Sequence, residues 1–193
     1  MSFVKCTALI FVLVLSGCAT FRDGANPPIT KWPPDSALKN KTIAIQVIGK
    51  SILNNQTADV NVEFLENWRE QVVRAYETSG FFSAVKNSSD QCDIFAEVSI
   101  TDKGEASGGL AFLTGFSMFI IPAHAREGFI VKTTYKDKSG NAMGSFEKAE
   151  SADTWIQLFL LPMMPFKPLS EYKEMLFDLN RNTLIEAHEK KLF

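Results

Sequence analysis

Ile94-Phe95-Ala96-Glu97-Val98-Ser99-Ile100-Thr101 alternates apolar and polar or aromatic side chains at a period of two. Ile94, Ala96, Val98 and Ile100 fall on one face. Phe95, Glu97, Ser99 and Thr101 fall on the other, so this is a strand with one buried and one largely solvated side. Upstream, Thr42 to Ile48 is a second alternating run, with Ile43, Ile45 and Val47 sharing a face. Between the two, Phe64, Leu65, Trp68, Val72, Ala75 and Tyr76 recur at helical spacing. Asn61 or Asp59 caps that helix, and Gly80 suits the left-handed position past its end. Gly49 and the mostly polar run 50–57 read as a loop, Phe81, Phe82 and Val85 as packing at the helix exit, and residues 87–90 as a turn.

Downstream, Gly128 to Lys136 forms a third strand, with Phe129, Val131, Thr133 and Tyr135 on one side. Asp137-Lys138-Ser139-Gly140-Asn141 has the composition of a hairpin turn. Met143 to Ala152 is its partner, and its charges suggest an edge strand. A helix from about Glu171, capped by Ser170, carries Tyr172, Met175, Leu176, Leu179, Thr183 and Ala187 on one face. The order is β-α-β-β-β-α. A helix between the first two strands implies a parallel pair joined by a right-handed crossover. The expected fold is α+β: a mixed sheet of about four strands covered by two helices, in a single domain over 41–193.

The 193 residues include 20 basic and 22 acidic side chains, for a formal net charge of −2. There is no basic excess to suggest nucleic acid as a partner. His124 and His188 have no metal-ligand spacing to another His, Cys or acid. Ser117 lacks the second glycine of a nucleophile elbow, and the glycines of 104–109 lack a phosphate-loop lysine. Glu63, Glu66 and Glu70 read as a solvated helix face. No catalytic, cofactor-binding or metal constellation emerges, so the expectation is a protein without catalysis, cofactor or metal.

The amino terminus carries an address. Lys5 precedes the uncharged apolar run Ala8 to Leu15, which is too short to span a bilayer and has the length of a signal-peptide core. Leu15-Ser16-Gly17-Cys18 follows. This resembles the lipobox of bacterial envelope lipoproteins, which implies cleavage after a signal peptide of residues 1–17 and lipidation of Cys18. Ala19 in place of an aspartate is similar to the pattern that sorts such proteins to the outer membrane, facing the periplasm. Of the remaining cysteines, Cys6 leaves with the signal, and Cys92 reads as a small buried thiol at a strand start. Residues 18–40, with Pro27-Pro28 and Pro33-Pro34, read as a tether with polyproline character. Trp32 within it suits either the headgroup region or packing on the domain.

The strand, then a helix ending in Ser-Gly-Phe-Phe (79–82), then a polar turn and Asp93-Ile94 opening the next strand is similar to a small domain of envelope lipoproteins. It resembles that of penicillin-binding-protein activators, the curli secretion lipoprotein and the N-terminal domain of the Tol propeller protein. The resemblance covers about residues 41–101 and implies a binding or assembly domain.

Two uncharged runs remain. Ala106 to Ala125 contains the core 109–121, and a second run covers 155–166. Glycines, Thr114, Ser117, Pro122 and Pro162 interrupt them short of a membrane-spanning helix. By topology both lie at one end of the sheet, opposite the point where a tether would join the first strand. Three readings stay open: the runs cover each other, they form an exposed patch for a partner or lipid, or they contribute membrane-spanning structure. The residues that would make such a patch are Phe112, Phe116, Met118, Phe119, Trp155, Leu158 and Phe159. The expected function is that of a membrane-anchored accessory subunit binding another envelope component. The alternative is a lipid-contacting or membrane-remodelling role for 109–121 and 155–166.

Overall fold

The structure, a computed structural model, describes residues 17–34, 41–86, 92–157 and 171–193. The alternation at 94–101 extends into a thirteen-residue strand at the centre of the sheet. In chain order the elements are β1 (Gly17–Arg22), β2 (Lys41–Leu53), β3 (Gln56–Ala58), α1 (Val62–Thr78), β4 (Phe82–Lys86), β5 (Ile94–Ala106), α2 (Gly108–Phe116), β6 (Ala123–Asp137), β7 (Ala142–Gln157) and α3 (Glu171–Glu189). Among the described residues seven strands form one sheet in the order β1-β7-β6-β5-β2-β3, with β4 pairing β2 as well. β2 and β5 are parallel, as the crossover requires, and β5, β6, β7 and β1 are successively antiparallel. The fold is α+β with a mixed sheet, but the sheet has seven strands where about four were expected.

The three added strands have separate causes. Asn54 and Asn55 both adopt positive φ, 49° and 65°, the geometry of a two-residue hairpin turn, so the expected loop folds back as β3. Past Gly80 (φ 74°), Phe82 to Lys86 runs parallel to the start of β2. β1 lies in the stretch read as a tether and pairs with β7 from Gly17↔Gln157 to Arg22↔Ala152. Ala19 and Thr20 are buried in that pairing, so the chain is folded from residue 17 to 22, and β7 is an interior strand rather than an edge.

Ile94, Ala96, Val98 and Ile100 of β5, with Phe129, Val131 and Tyr135 of β6, make the core face of the sheet. Trp68, Val72, Ala75 and Tyr76 of α1 and Met175, Leu176, Leu179 and Leu184 of α3 cover it. Each Val, Leu, Ile, Phe or Met among them contributes about 1.5–3 kcal/mol by leaving water. Asn61 Oδ1 accepts from the Glu63 N–H at 2.9 Å and caps α1. At Gly49 a Cβ would sit 2.8 Å from Leu65 Cδ1 and 3.1 Å from Trp68, so any larger residue there would make these α1 side chains shift. Trp32 packs back on the domain, donating to Thr78 Oγ1 at 3.0 Å with its ring edge-on to Phe81.

Candidate functional site

Strand directions gather several chain segments at one end of the sheet. β2 and β5 finish there, β6 begins there, and β7 finishes beside the start of β1. α2 and the turn after it bridge β5 to β6 at this end.

α2 is polar inside and apolar outside. Its one buried residue is Thr114, whose hydroxyl donates to the Leu110 carbonyl at 2.8 Å. Phe112 and Phe116 are 73% and 82% exposed, and their rings stack on each other 6.4 Å apart. Leu113, Met118, Ile120 and Ile121 are exposed beside them, while Phe119 is half-buried. A surface helix in water turns its apolar stripe inward, and this one does the reverse. Ser107 Oγ accepts from the Leu110 N–H at 3.2 Å and caps the start. Past the end, Met118 and Phe119 take left-handed φ values of 54° and 65°, which non-glycine residues adopt at a cost. Their N–H groups nevertheless donate to Gly115 O (3.1 Å) and Thr114 O (2.8 Å), and Ile121 N–H donates to Ser117 Oγ (3.0 Å).

β1 brings the amino-terminal cysteine to the same end. In register, Cys18 lies opposite Ile156, and Ile156 lies opposite Ala123, where the α2 turn rejoins the sheet. The strand is held by more than its ladder. The Arg22 guanidinium grips the Glu150 carboxylate with two 2.7 Å bonds and Asp178 with a third. The Glu150 side chain is almost wholly buried, and its bonds to Arg22 hold that guanidinium protonated. Thr20 and Thr154 hydroxyls meet at 3.0 Å, and Asp23 Oδ2 accepts from the Ser151 hydroxyl at 2.6 Å.

One titratable group nearby stands out. Burial pushes the Glu127 carboxyl up to about 7, with the charge of Asp102 adding to the rise and a hydrogen bond with Tyr172 opposing it. Asp102 is raised by burial too, against a 3.3 Å bond from Ser51 Oγ. Glu127 can therefore hold or release a proton near neutrality. His124 lies in β6, bonds Asp153 at 2.8 Å and leans on Trp155, with ring centres 4.6 Å apart. His188 lies in the last turn of α3 and stacks on Phe81 at 4.5 Å. Among the described residues no group of three or more His, Cys, Asp or Glu side chains could hold a metal ion, and no helix is long and apolar enough to cross a membrane.

No family model and no curated protein sequence matches the chain. Solved structures superpose on it only loosely. A minor lipoprotein from Acinetobacter baumannii superposes with a TM-score of 0.42 at 12% identity, over 74% of this chain and 86% of that one. A neuraminyllactose-binding hemagglutinin homolog from Helicobacter pylori gives 0.43 at 9%, over 87% and 90%. A PelC dodecamer from Paraburkholderia phytofirmans gives 0.40 at 10%, over 86% and 95%. At this distance the neighbours' activities do not carry over.

Of the residues expected in an apolar patch, Phe112, Phe116, Met118, Phe119 and Trp155 come to this end of the sheet, and Trp155 is 40% exposed. Leu158 and Phe159, with most of the run 155–166 and the cap Ser170, lie outside the described residues. The chain enters β2 at the end opposite the apolar segments, as expected, but Cys18 does not lie on a tether there. Cys18 belongs to β1, and β1 starts at the apolar end. Leu113, Ile120 and Ile121, which belong to the expected apolar run 109–121, join the patch, and Arg22 and Glu150, which no sequence pattern singled out, hold β1 in place.

Proposed function

We propose that the chain is a bacterial envelope lipoprotein, lipidated at Cys18, anchored in the outer membrane on its periplasmic side, and serving as a non-catalytic accessory subunit for another envelope component. The observation that carries this reading is Leu15-Ser16-Gly17-Cys18 behind a basic residue and a short apolar run. The fold is compatible with that reading: β1 starts within a residue of the cleavage point, so processing before Cys18 would remove Gly17 but leave Ala19 to Arg22 in the sheet. Stable anchoring needs more than one acyl chain, which a triacylated cysteine supplies. Partner binding has surface to use. The outer edge of β1 has no strand beyond it among the described residues, and an edge accepts an added strand through backbone bonds.

Cells fed a labelled palmitate analogue and expressing wild-type chain or Cys18→Ser provide the test. The wild type takes up label and migrates as the mature form, and the variant takes up none and accumulates as precursor. Normal processing of Cys18→Ser, or label retained by it, refutes the reading.

A further inference from the structure

We propose that the α2 end of the sheet is a lipid-contact surface. Residues 112–121, with Trp155, seat on the same bilayer that carries the acyl chains of Cys18. The proposal deepens the lipoprotein reading and rests on it for the position of the membrane.

Three independent features converge. The first is burial turned outward: seven of the twelve exposed large hydrophobic side chains among the described residues are Phe112, Leu113, Phe116, Met118, Ile120, Ile121 and Trp155. Together they expose several hundred Å² of apolar surface, the scale at which such patches mark a contact. The second is backbone satisfaction. The turn at 117–121 bonds its N–H groups internally, despite two left-handed residues, and a segment entering hydrocarbon must do so. No charged side chain occurs from Ala106 to Ala125.

The third feature decides the occupant. Cys18, Ile156 and Ala123 lie on three adjacent strands in register. With strands ~4.8 Å apart, the lipid-bearing backbone stands about 10 Å from the point where the apolar turn rejoins the sheet. Ala19 and Thr20 are buried, so no slack chain separates anchor from domain. Acyl chains on Cys18 therefore bring this end, and not another, to the headgroups. Trp155, two-fifths exposed beside β1, suits the interfacial belt that indoles favour. The segment 106–125 carries no charged side chain, so the contact is apolar and a zwitterionic lipid is the matching one. The hairpin at 137–141 then faces away from the membrane, leaving that end of the sheet for a partner.

The test uses full-length, membrane-purified protein in phosphatidylethanolamine-rich vesicles with or without bromine on the acyl chains. Phe116→Trp adds an indole at an 82% exposed position without touching the core. Its added emission is expected to lose about half its intensity to brominated lipid, as for side chains ~5–10 Å below the headgroup boundary. Met143→Trp, near the opposite end, is expected to lose none. Emission from Phe116→Trp that is open to aqueous iodide and indifferent to bromine overturns the proposal. Emission shielded from both quenchers marks a protein-covered patch and overturns it equally. Palmitate labelling of the same preparation reads the anchor separately: labelled chain without quenching keeps the lipoprotein reading and removes the lipid contact, while quenching without label does the reverse.

Discussion

Glu127 sits where β6 leaves the apolar end, opposite Gly104 of β5, in surroundings that cost its charge more than water does. Its ordinary value is 4.5, and in the folded chain burial takes it to about 7. Between those values the folded state holds a proton that the unfolded state has released, so this group's contribution to stability falls as pH rises through the window. Glu127→Gln cannot ionise. The variant is expected to melt above the wild type at pH 8, with the gap closing towards pH 5; a gap that ignores pH contradicts this account of Glu127. Asp93 behaves oppositely. Lys138, 2.8 Å away, together with the Thr42 amide and hydroxyl, holds its carboxyl well below the usual range, so its contribution is present above about pH 4 and lost on acidification. Asp93 was visible in the sequence as the acid opening a strand, and its structural reason is the clasp on the start of β2. Glu127 was not visible, because burial of one carboxylate is set by tertiary packing and by Asp102 on the neighbouring strand, which no local pattern carries.

β2, α1, β5, β6 and α3 were legible because their apolar periods run long enough to distinguish helix from strand, and β7 because the turn at 137–141 requires a partner for β6, its own alternation being weak. β1 was not. Six residues with no alternation, followed by a proline-containing stretch, carry no local preference; the strand exists because β7 offers an edge and Glu150 offers a buried carboxylate. α2 was hidden for another reason: a uniformly apolar run has no polar stripe to show which way it would turn. The charges of β7 that suggested an edge are paired instead, Lys148 with Glu186 at 2.8 Å and Glu150 with Arg22. Arg22 is thus the residue on which β1 depends most. Arg22→Ala leaves Glu150 buried without its bidentate partner and is expected to cost about 3 kcal/mol in a denaturant titration of the full-length protein. Arg22→Lys cannot restore the two-pronged grip and is expected to recover part of that loss. A loss under about 1 kcal/mol for Arg22→Ala would mean that β1 docks through its backbone ladder alone.

At the scale of the whole molecule, the difference between a tether and a strand decides how the domain stands. A polyproline-like tether over 18–40 would reach roughly 60–70 Å and leave orientation free. A strand starting at residue 17 removes that freedom and puts Cys18 and the apolar turn on one end of one sheet. On the proposed reading, a lipid on Cys18 and the patch would form a single membrane-facing end, with the opposite end left for a partner. Everything in this arrangement depends on β1 being part of the sheet in the anchored protein. Amide hydrogen exchange on the full-length chain in lipid vesicles reads that directly. Peptides spanning Ala19 to Arg22 are expected to exchange as slowly as the neighbouring β7 peptides across Ala152 to Ile156; exchange of 19–22 within seconds, with β7 still protected, would contradict the docked strand and the orientation built on it.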